Sequence, residues 1–189
     1  MKILLIAYPS LKRDPRPFRQ IKNLYLDHEL STIGSEKSGY EDYFYHIKKH
    51  SFLINFLRIL IMKLGFYNWY YWDSYKRSLV TELNNNEFDL VIAHEIRLVP
   101  LALKLAKGKP IILDAHEYSP KNFNDDLFWR FFIKKYYTKL CEEYIPKVDK
   151  LISVSQGIVD MYSKKFNIDS ILLTNKSEYV INLKPKKIN

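Results

Sequence analysis

The sequence predicts an α/β domain built on a Rossmann-like, doubly wound and mainly parallel sheet. Three observations predict it. Short apolar runs recur at residues 3–7, 90–93, 111–113 and 151–154, continuous rather than alternating. Strands buried on both faces read this way. Helix-patterned stretches separate the runs, so strand and helix alternate along the chain. Length and composition agree: 189 residues, 47% hydrophobic and 27% charged, suit one globular domain with a real core.

The chain opens MKILLIAYP. Its apolar run is too short for a secretory signal and no small-residue cleavage site follows, so it reads as a buried first strand. Residues 16–28 place Phe18, Ile21, Leu24 and Tyr25 at helical spacing, and Pro15 and Pro17 suit the first turn. Residues 29–34 are a candidate strand. Residues 98–107 form a short helix ended by Gly108 and Pro110. Residues 125–147 open with Asp125 and Asp126 and close with Lys147, as the helix dipole favours. Residues 156–166 are a compact amphipathic helix, and residues 170–174 a further, weaker strand. The domain is expected over residues 1–175. The polar, basic stretch 176–189 reads as a linker or loose tail.

One segment stands apart. Residues 51–72, SFLINFLRILIMKLGFYNWYYW, are apolar nearly all round, interrupted by Arg58, Lys63 and Gly65. Two central cations argue against a spanning helix. Burial in the core, cover by a partner, and an interfacial position on a membrane all remain open for it.

Lys and Arg number 30 against 21 Asp and Glu, a formal charge of +9. Such a balance favours anionic partners such as phosphates or anionic lipid. The charge is spread along the chain and matches no nucleic-acid motif, so nucleic acid is not an expected partner. Cys141 is the single cysteine. It points to a reducing compartment and to a small buried side chain rather than a nucleophile. No G-x-G-x-x-G, P-loop or G-x-S-x-G is present.

In a parallel α/β sheet, ligands bind beyond the carboxyl ends of the strands, so the residues after each run matter most. After the first come Tyr8 to Arg16, and after the second His94 and Glu95. The third is followed by Asp114, Ala115, His116 and Glu117, the fourth by Ser155, Gln156 and Gly157. A parallel sheet brings all four loops to one rim. Asp14 caps a helix or borders a site. Arg16 and Arg19 are solvated helix residues or grip an anionic group. His94 is a structural histidine, or a site residue that bonds a sugar hydroxyl or moves a proton near neutral pH. The two His-Glu pairs do not have a known metal-ligand spacing and suit hydroxyl binding better, so no metal is expected. Ser155 reads as an N-cap.

Three pieces carry a resemblance: MKILLIAYPSLKRDPRPFRQIKNL, FDLVIAHEIRLVPLALKLAKGKPIILDAHEYSP and VDKLISVSQGIVDMYSKKFNIDSILLTN. In this order and spacing the chain resembles the N-terminal domain of family 4 glycosyltransferases, which have the GT-B fold. The likeness spans nearly the whole chain except residues 39–86. It implies transfer of a sugar from a nucleotide-sugar to an acceptor in polysaccharide or glycolipid synthesis. It also implies that Asp14, Arg16 and Arg19 border the cleft and that His94, the catalytic candidate, approaches the donor sugar. Glu95, His116 and Glu117 would then line the acceptor pocket. No cofactor is implied in the chain itself; the nucleotide-sugar is a substrate of the complete enzyme. The family's donor-binding residues lie in a second domain that these 189 residues do not reach. The chain is therefore expected to be an excised domain, a truncated product or one subunit of a split enzyme, with little transfer alone. Its expected partners are the donor-binding half, a sugar or lipid-linked acceptor, and an anionic membrane surface against residues 51–72. The expected place is the cytoplasm, peripheral at the inner face of the membrane. Where many family members carry a glycine-rich first loop, Tyr8-Pro9-Ser10 stands. The alternative is a non-catalytic acceptor-binding or membrane-docking subunit of a split glycosyltransferase; a third reading is a stand-alone flavodoxin-like binding protein.

Overall fold

A computed structural model describes residues 1–8, 10–48, 50–121, 123 and 125–176. Seven strands form one sheet: β1 (Lys2–Ile6), β2 (Glu29–Gly34), β3 (Tyr43–His46), β4 (Leu90–His94), β5 (Ile111–Ala115), β6 (Lys150–Ser153) and β7 (Ser170–Leu172). Every pairing is parallel and the order is β3-β2-β1-β4-β5-β6-β7. The winding reverses at β1, which pairs with β2 on one side and β4 on the other, so a crevice opens beyond the carboxyl ends of β1 and β4.

The helices are α1 (Pro15–Leu24), α2 (Phe52–Lys63), α3 (Tyr67–Tyr71), α4 (Ser74–Glu82), α5 (Val99–Ala106), α6 (Lys134–Tyr144) and α7 (Gln156–Phe166). Both sheet faces are apolar because successive strand residues point to opposite sides. Leu4, Ile6, Val91, Ala93 and Leu113 share one buried cluster with Leu79, Leu83, Leu101, Leu105, Leu140 and Tyr162 from the helices. Ile3, Leu5, Ala7, Leu30 and Ile92 form the other, under Ile21 of α1 and Leu11 of the first loop. That loop is pinned to β2 by a close approach: a Cβ on Gly34 would lie 2.7 Å from Leu11 Cγ.

The four strands expected from the apolar runs and the weaker candidate at 170–174 are present with shifts of one or two residues at their ends, and the candidate at 29–34 is present with those bounds. β3 was not among them. It is an edge strand, half-buried to exposed, and so carries no continuous apolar run. The expected helix 125–147 is interrupted. A π-helical turn spans Trp129–Ile133, α6 follows, and a 3-10 turn over Ile145–Lys147 ends it, where Pro146 brings no N–H to continue the α pattern. Ser155 occupies the N-cap of α7, but its side chain makes no capping bond. Cys141 is buried in α6, and burial pushes its thiol up to about 12. The tail expected from residue 176 lies, beyond Lys176, outside the described residues.

Residues 51–72 enter the core only in part, through Met62 and Tyr71. Gly65, at φ +89°, breaks them into α2 and α3, a backbone position that glycine accepts at little cost. The sheet face nearby is already filled by side chains of α4, α5 and α6. α2 therefore packs on α3 and the turn Trp129–Ile133. Met62 is its one buried residue, while Phe52, Leu53, Ile54, Phe56, Leu57 and Leu60 are exposed, Phe52 by 87%. Among the described residues no helix is long and apolar enough to cross a membrane.

Candidate functional site

The carboxyl rim of the sheet gathers polar side chains around Asp114. Strand register sets its neighbour, since His94 at the end of β4 lies opposite Asp114 in β5. Both are buried, Asp114 completely and His94 to 1% exposure. A buried carboxylate needs a partner, and Arg16 supplies it from the first turn of α1. Arg16 Nε donates to Asp114 Oδ1 at 2.9 Å and to Oδ2 at 2.8 Å, and Nη2 lies 2.8 Å from Oδ1 as an off-angle ion pair. Gln20, one helical turn on, also donates to Asp114 Oδ2. Arg16 Nη1 donates to the Leu173 carbonyl at 2.8 Å, tying α1 to the chain just past β7.

His94 Nδ1 lies 2.9 Å from His116 Nε2 and 3.6 Å from Asp114 Oδ2. The nearby carboxylate favours the proton on His94 Nδ1, which then donates to His116 Nε2. His94 Nε2 is left as a buried ring nitrogen with no partner among the described residues. Burial pushes His94 down to about 3; Asp114 pulls the other way, while His116 and Arg16 push it lower still. The ring is therefore neutral across the physiological range, a hydrogen-bonding group rather than a cation. His94, Asp114 and His116 place one donor atom each within 4.8 Å of one another, a spacing that a metal ion could bridge. Against that use, the oxygens of Asp114 are already engaged by Arg16 and Gln20.

The remaining expected residues are dispersed along the same rim. Asp14 is the N-cap of α1 and accepts from the Arg16 backbone N–H at 3.1 Å. Arg19 donates to Asn175 Oδ1. Glu95 has φ +72°, strained for a residue with a side chain, and holds Arg97 Nε and Nη2 at 3.1 and 2.7 Å. Arg97 in turn lies over the Tyr8 ring, 4.9 Å from its centroid. Glu117 is exposed, and its carbonyl accepts from Tyr162 Oη at 2.9 Å, while that oxygen accepts from the Ser119 N–H at 2.9 Å. Thus Arg16 and His94 meet on Asp114 and His116 joins them through His94, whereas Asp14, Arg19, Glu95 and Glu117 make separate contacts.

Beside this cluster is a cavity of about 300 Å³ that the sequence did not announce. Tyr8, Lys48, His50, Asn55, Arg58, Tyr70, Tyr71, Asp73, Lys76, Arg97 and Tyr136 line it. It lies past the ends of β1, β3 and β4, roofed by α2 and floored by α4. Asp73, the N-cap of α4, accepts from Lys76 Nζ at 2.7 Å and pairs with Arg58 at 3.0 Å. Burial alone would raise the Asp73 carboxyl, but hydrogen bonds from the Lys76 side chain and backbone, with the charges of Lys76 and Arg58, hold it down at about 2. Its constituents come from five separate stretches of chain, so no local motif marks them; Asp73 beside Lys76 resembles an ordinary helix cap.

A family model described as Glycosyltransferase Family 4 matches residues 26–173. No curated protein matches the chain. Among solved structures, the Glycyrrhiza uralensis protein UGT73P12, complexed with glycyrrhetinic acid 3-O-monoglucuronide, superposes with a TM-score of 0.51 at 11% identity, over 90% of this chain and 48% of that one. TcCGT1 in complex with UDP gives 0.52 at 10% identity, over 96% of this chain and 53% of that one. The chain spans about half the length of the solved structures it matches. At such identities the likeness is one of fold, and the fold is one half of a GT-B structure.

Proposed function

The chain belongs to glycosyltransferase family 4, and from that premise we propose that it forms the acceptor-side half of a sugar-transferring enzyme. The reaction moves a sugar from a nucleotide-sugar to an acceptor hydroxyl in polysaccharide or glycolipid synthesis. A second, donor-binding Rossmann-like half faces the rim described above and holds the nucleotide. UDP in the similarly folded TcCGT1 structure agrees with a nucleotide-sugar donor.

One observation carries this reading: Arg16 and His94 converge on Asp114, and His116 joins through His94, at the carboxyl rim next to the β1–β4 reversal. Such a rim is where ligands of parallel sheets sit. The unpartnered His94 Nε2 is an acceptor for a hydroxyl of the sugar in transit. Arg16 and Gln20 hold Asp114, Asp114 holds His94, and His116 fixes the ring's plane. His94 is thereby set in one orientation before substrate arrives. The acceptor hydroxyl oxygen then bonds to the anomeric carbon as the bond from that carbon to the nucleotide diphosphate breaks, and the hydroxyl proton passes to the departing diphosphate. The exposed outer face of α2 rests on an anionic membrane and brings a lipid-linked acceptor to the cleft.

The test combines this chain with a donor-binding half and measures nucleotide release from a panel of nucleotide-sugars in the presence of membrane extract. Release is expected only with both halves, and His94→Gln is expected to lower kcat more than it lowers stability. Titration calorimetry of the chain alone is expected to give dissociation constants weaker than about 100 μM for nucleotide-sugars. Low-micromolar binding by the chain alone would sink the division of labour. The exposed α2 face also supports a non-catalytic docking subunit: reconstituted halves that bind acceptor and vesicles yet never release nucleotide would establish that alternative.

A further inference from the structure

We propose that the cavity between α2, α4 and the strand rim is a seat for a phosphate-class dianion. Four permanent cations line it, Lys48, Arg58, Lys76 and Arg97, with His50 beside them. Two carboxylates answer them. Asp73 divides one charge among Lys76, Arg58 and His50, at 2.7, 3.0 and 3.3 Å. Glu95 is taken up by Arg97. Two positive charges remain unmatched around one cavity, one of them that of Lys48 at its exposed edge.

Lys48 is exposed, but Lys76 and Arg58 are fixed and largely withdrawn from water. The Lys76 side chain is 4% exposed and that of Arg58 15%. Lys76 Nζ is held by the Tyr71 carbonyl at 3.0 Å as well as by Asp73. Arg58 donates to the Tyr70 carbonyl and lies over the Tyr70 ring. Withdrawing ammonium and guanidinium groups from water is costly unless an anion compensates them. The arrangement is thus prepared in advance for a ligand that brings about two negative charges and several acceptor oxygens. A phosphomonoester or a diphosphate meets that description. A single carboxylate supplies half the charge. The ring walls of Tyr8, Tyr70 and Tyr136 shape the remaining volume.

The roof of the seat adds a second property. Asn55 and Arg58 of α2 turn into the cavity, while Leu53, Phe56, Leu57 and Leu60 face outward and are exposed. A phosphate held inside therefore sits one helix thickness from an apolar surface. Resting on the acceptor-side reading above, the dianion is the phosphate of an acceptor that carries a hydrocarbon chain. The seat itself does not depend on that reading.

The experiment titrates inorganic phosphate, inorganic pyrophosphate and hexyl phosphate into the chain, followed by amide NMR shifts. Saturable shifts are expected at Tyr8, Arg58, Asp73 and Lys76. Lys48→Gln and Arg58→Gln are each expected to weaken binding about tenfold. Lys109→Gln, at the opposite end of the strands, should leave it unchanged. Lys48 is exposed, so its variant keeps the test valid if Arg58→Gln fails to fold. Tighter binding of hexyl phosphate than of inorganic phosphate supports an acceptor with a chain, and equal binding supports the free ion as occupant. No saturable binding of any of the three, or equal affinity in all variants, overturns the seat. Failure of sugar transfer with these shifts intact would count against the proposed function alone.

Discussion

His94 shows how one buried side chain ties the site to the stability of the fold. The unfolded ring takes up a proton near its ordinary value of about 6.5, whereas the folded ring, driven by burial, does so only at about 3. Between these values the unfolded state binds more protons, so acid favours unfolding. Asp114, His116 and Arg16 are the charged and titratable groups facing the ring. Taking the pH from 7 to 5 is expected to remove about 2 kcal/mol of stability through this ring alone. Urea melts at the two pH values measure it, and His94→Gln should remove most of the difference. An unchanged pH dependence in that variant would show that His94 is not the group responsible. Asp73 acts in a lower window, because its stabilisation fades only as pH falls from about 3.8 toward 2. His94 and His116 were legible in the sequence, since each follows an apolar run. Their anchor was not. Arg16 and Asp114 are 98 residues apart, and an arginine in a first helical turn looks the same whether it is solvated or holding a buried carboxylate.

At the level of elements, what the sequence revealed depended on whether both faces of a segment were buried. β1, β4, β5 and β6 are covered on both sides and read as unbroken apolar runs. β3, at the edge, escaped notice for the opposite reason. α2 shows the limit of reading burial from hydrophobicity: its apolar residues predicted a hidden helix as readily as an interfacial one, and which face stays uncovered is decided by neighbours already in place. The joint between β5 and α7 makes a further prediction. Tyr162 Oη serves two backbone groups, the Ser119 N–H and the Glu117 carbonyl, from a fully buried position. Tyr162→Phe keeps the ring and removes both bonds. Its expected cost is about 1–3 kcal/mol by urea unfolding, with the loop after β5 exchanging its amide protons faster. A loss under half a kcal/mol would mean that water replaces the hydroxyl.

For the molecule as a whole, the charge of +9 and the bare apolar helix act together. Binding to anionic vesicles should weaken as salt rises, because screening shortens the reach of surface charge to about 3 Å at 1 M, yet a salt-resistant fraction should persist through α2. Leu53→Glu with Leu57→Glu is expected to abolish that fraction in flotation assays while leaving the melting temperature nearly unchanged, as both residues are exposed. Flotation unaffected by the pair would assign membrane contact to another surface. The sheet order carries one more consequence. β1 is made first but lies in the middle, and its partner on one side, β4, begins only at Leu90. A nascent chain can pair β1 with β2, and β2 with β3, early. It must then hold one unclosed hydrophobic flank through some forty further residues of synthesis, just as the greasy segment around Phe52 leaves the ribosome. That interval, rather than any step in the finished protein, is when this polypeptide is most exposed to sticking to its neighbours.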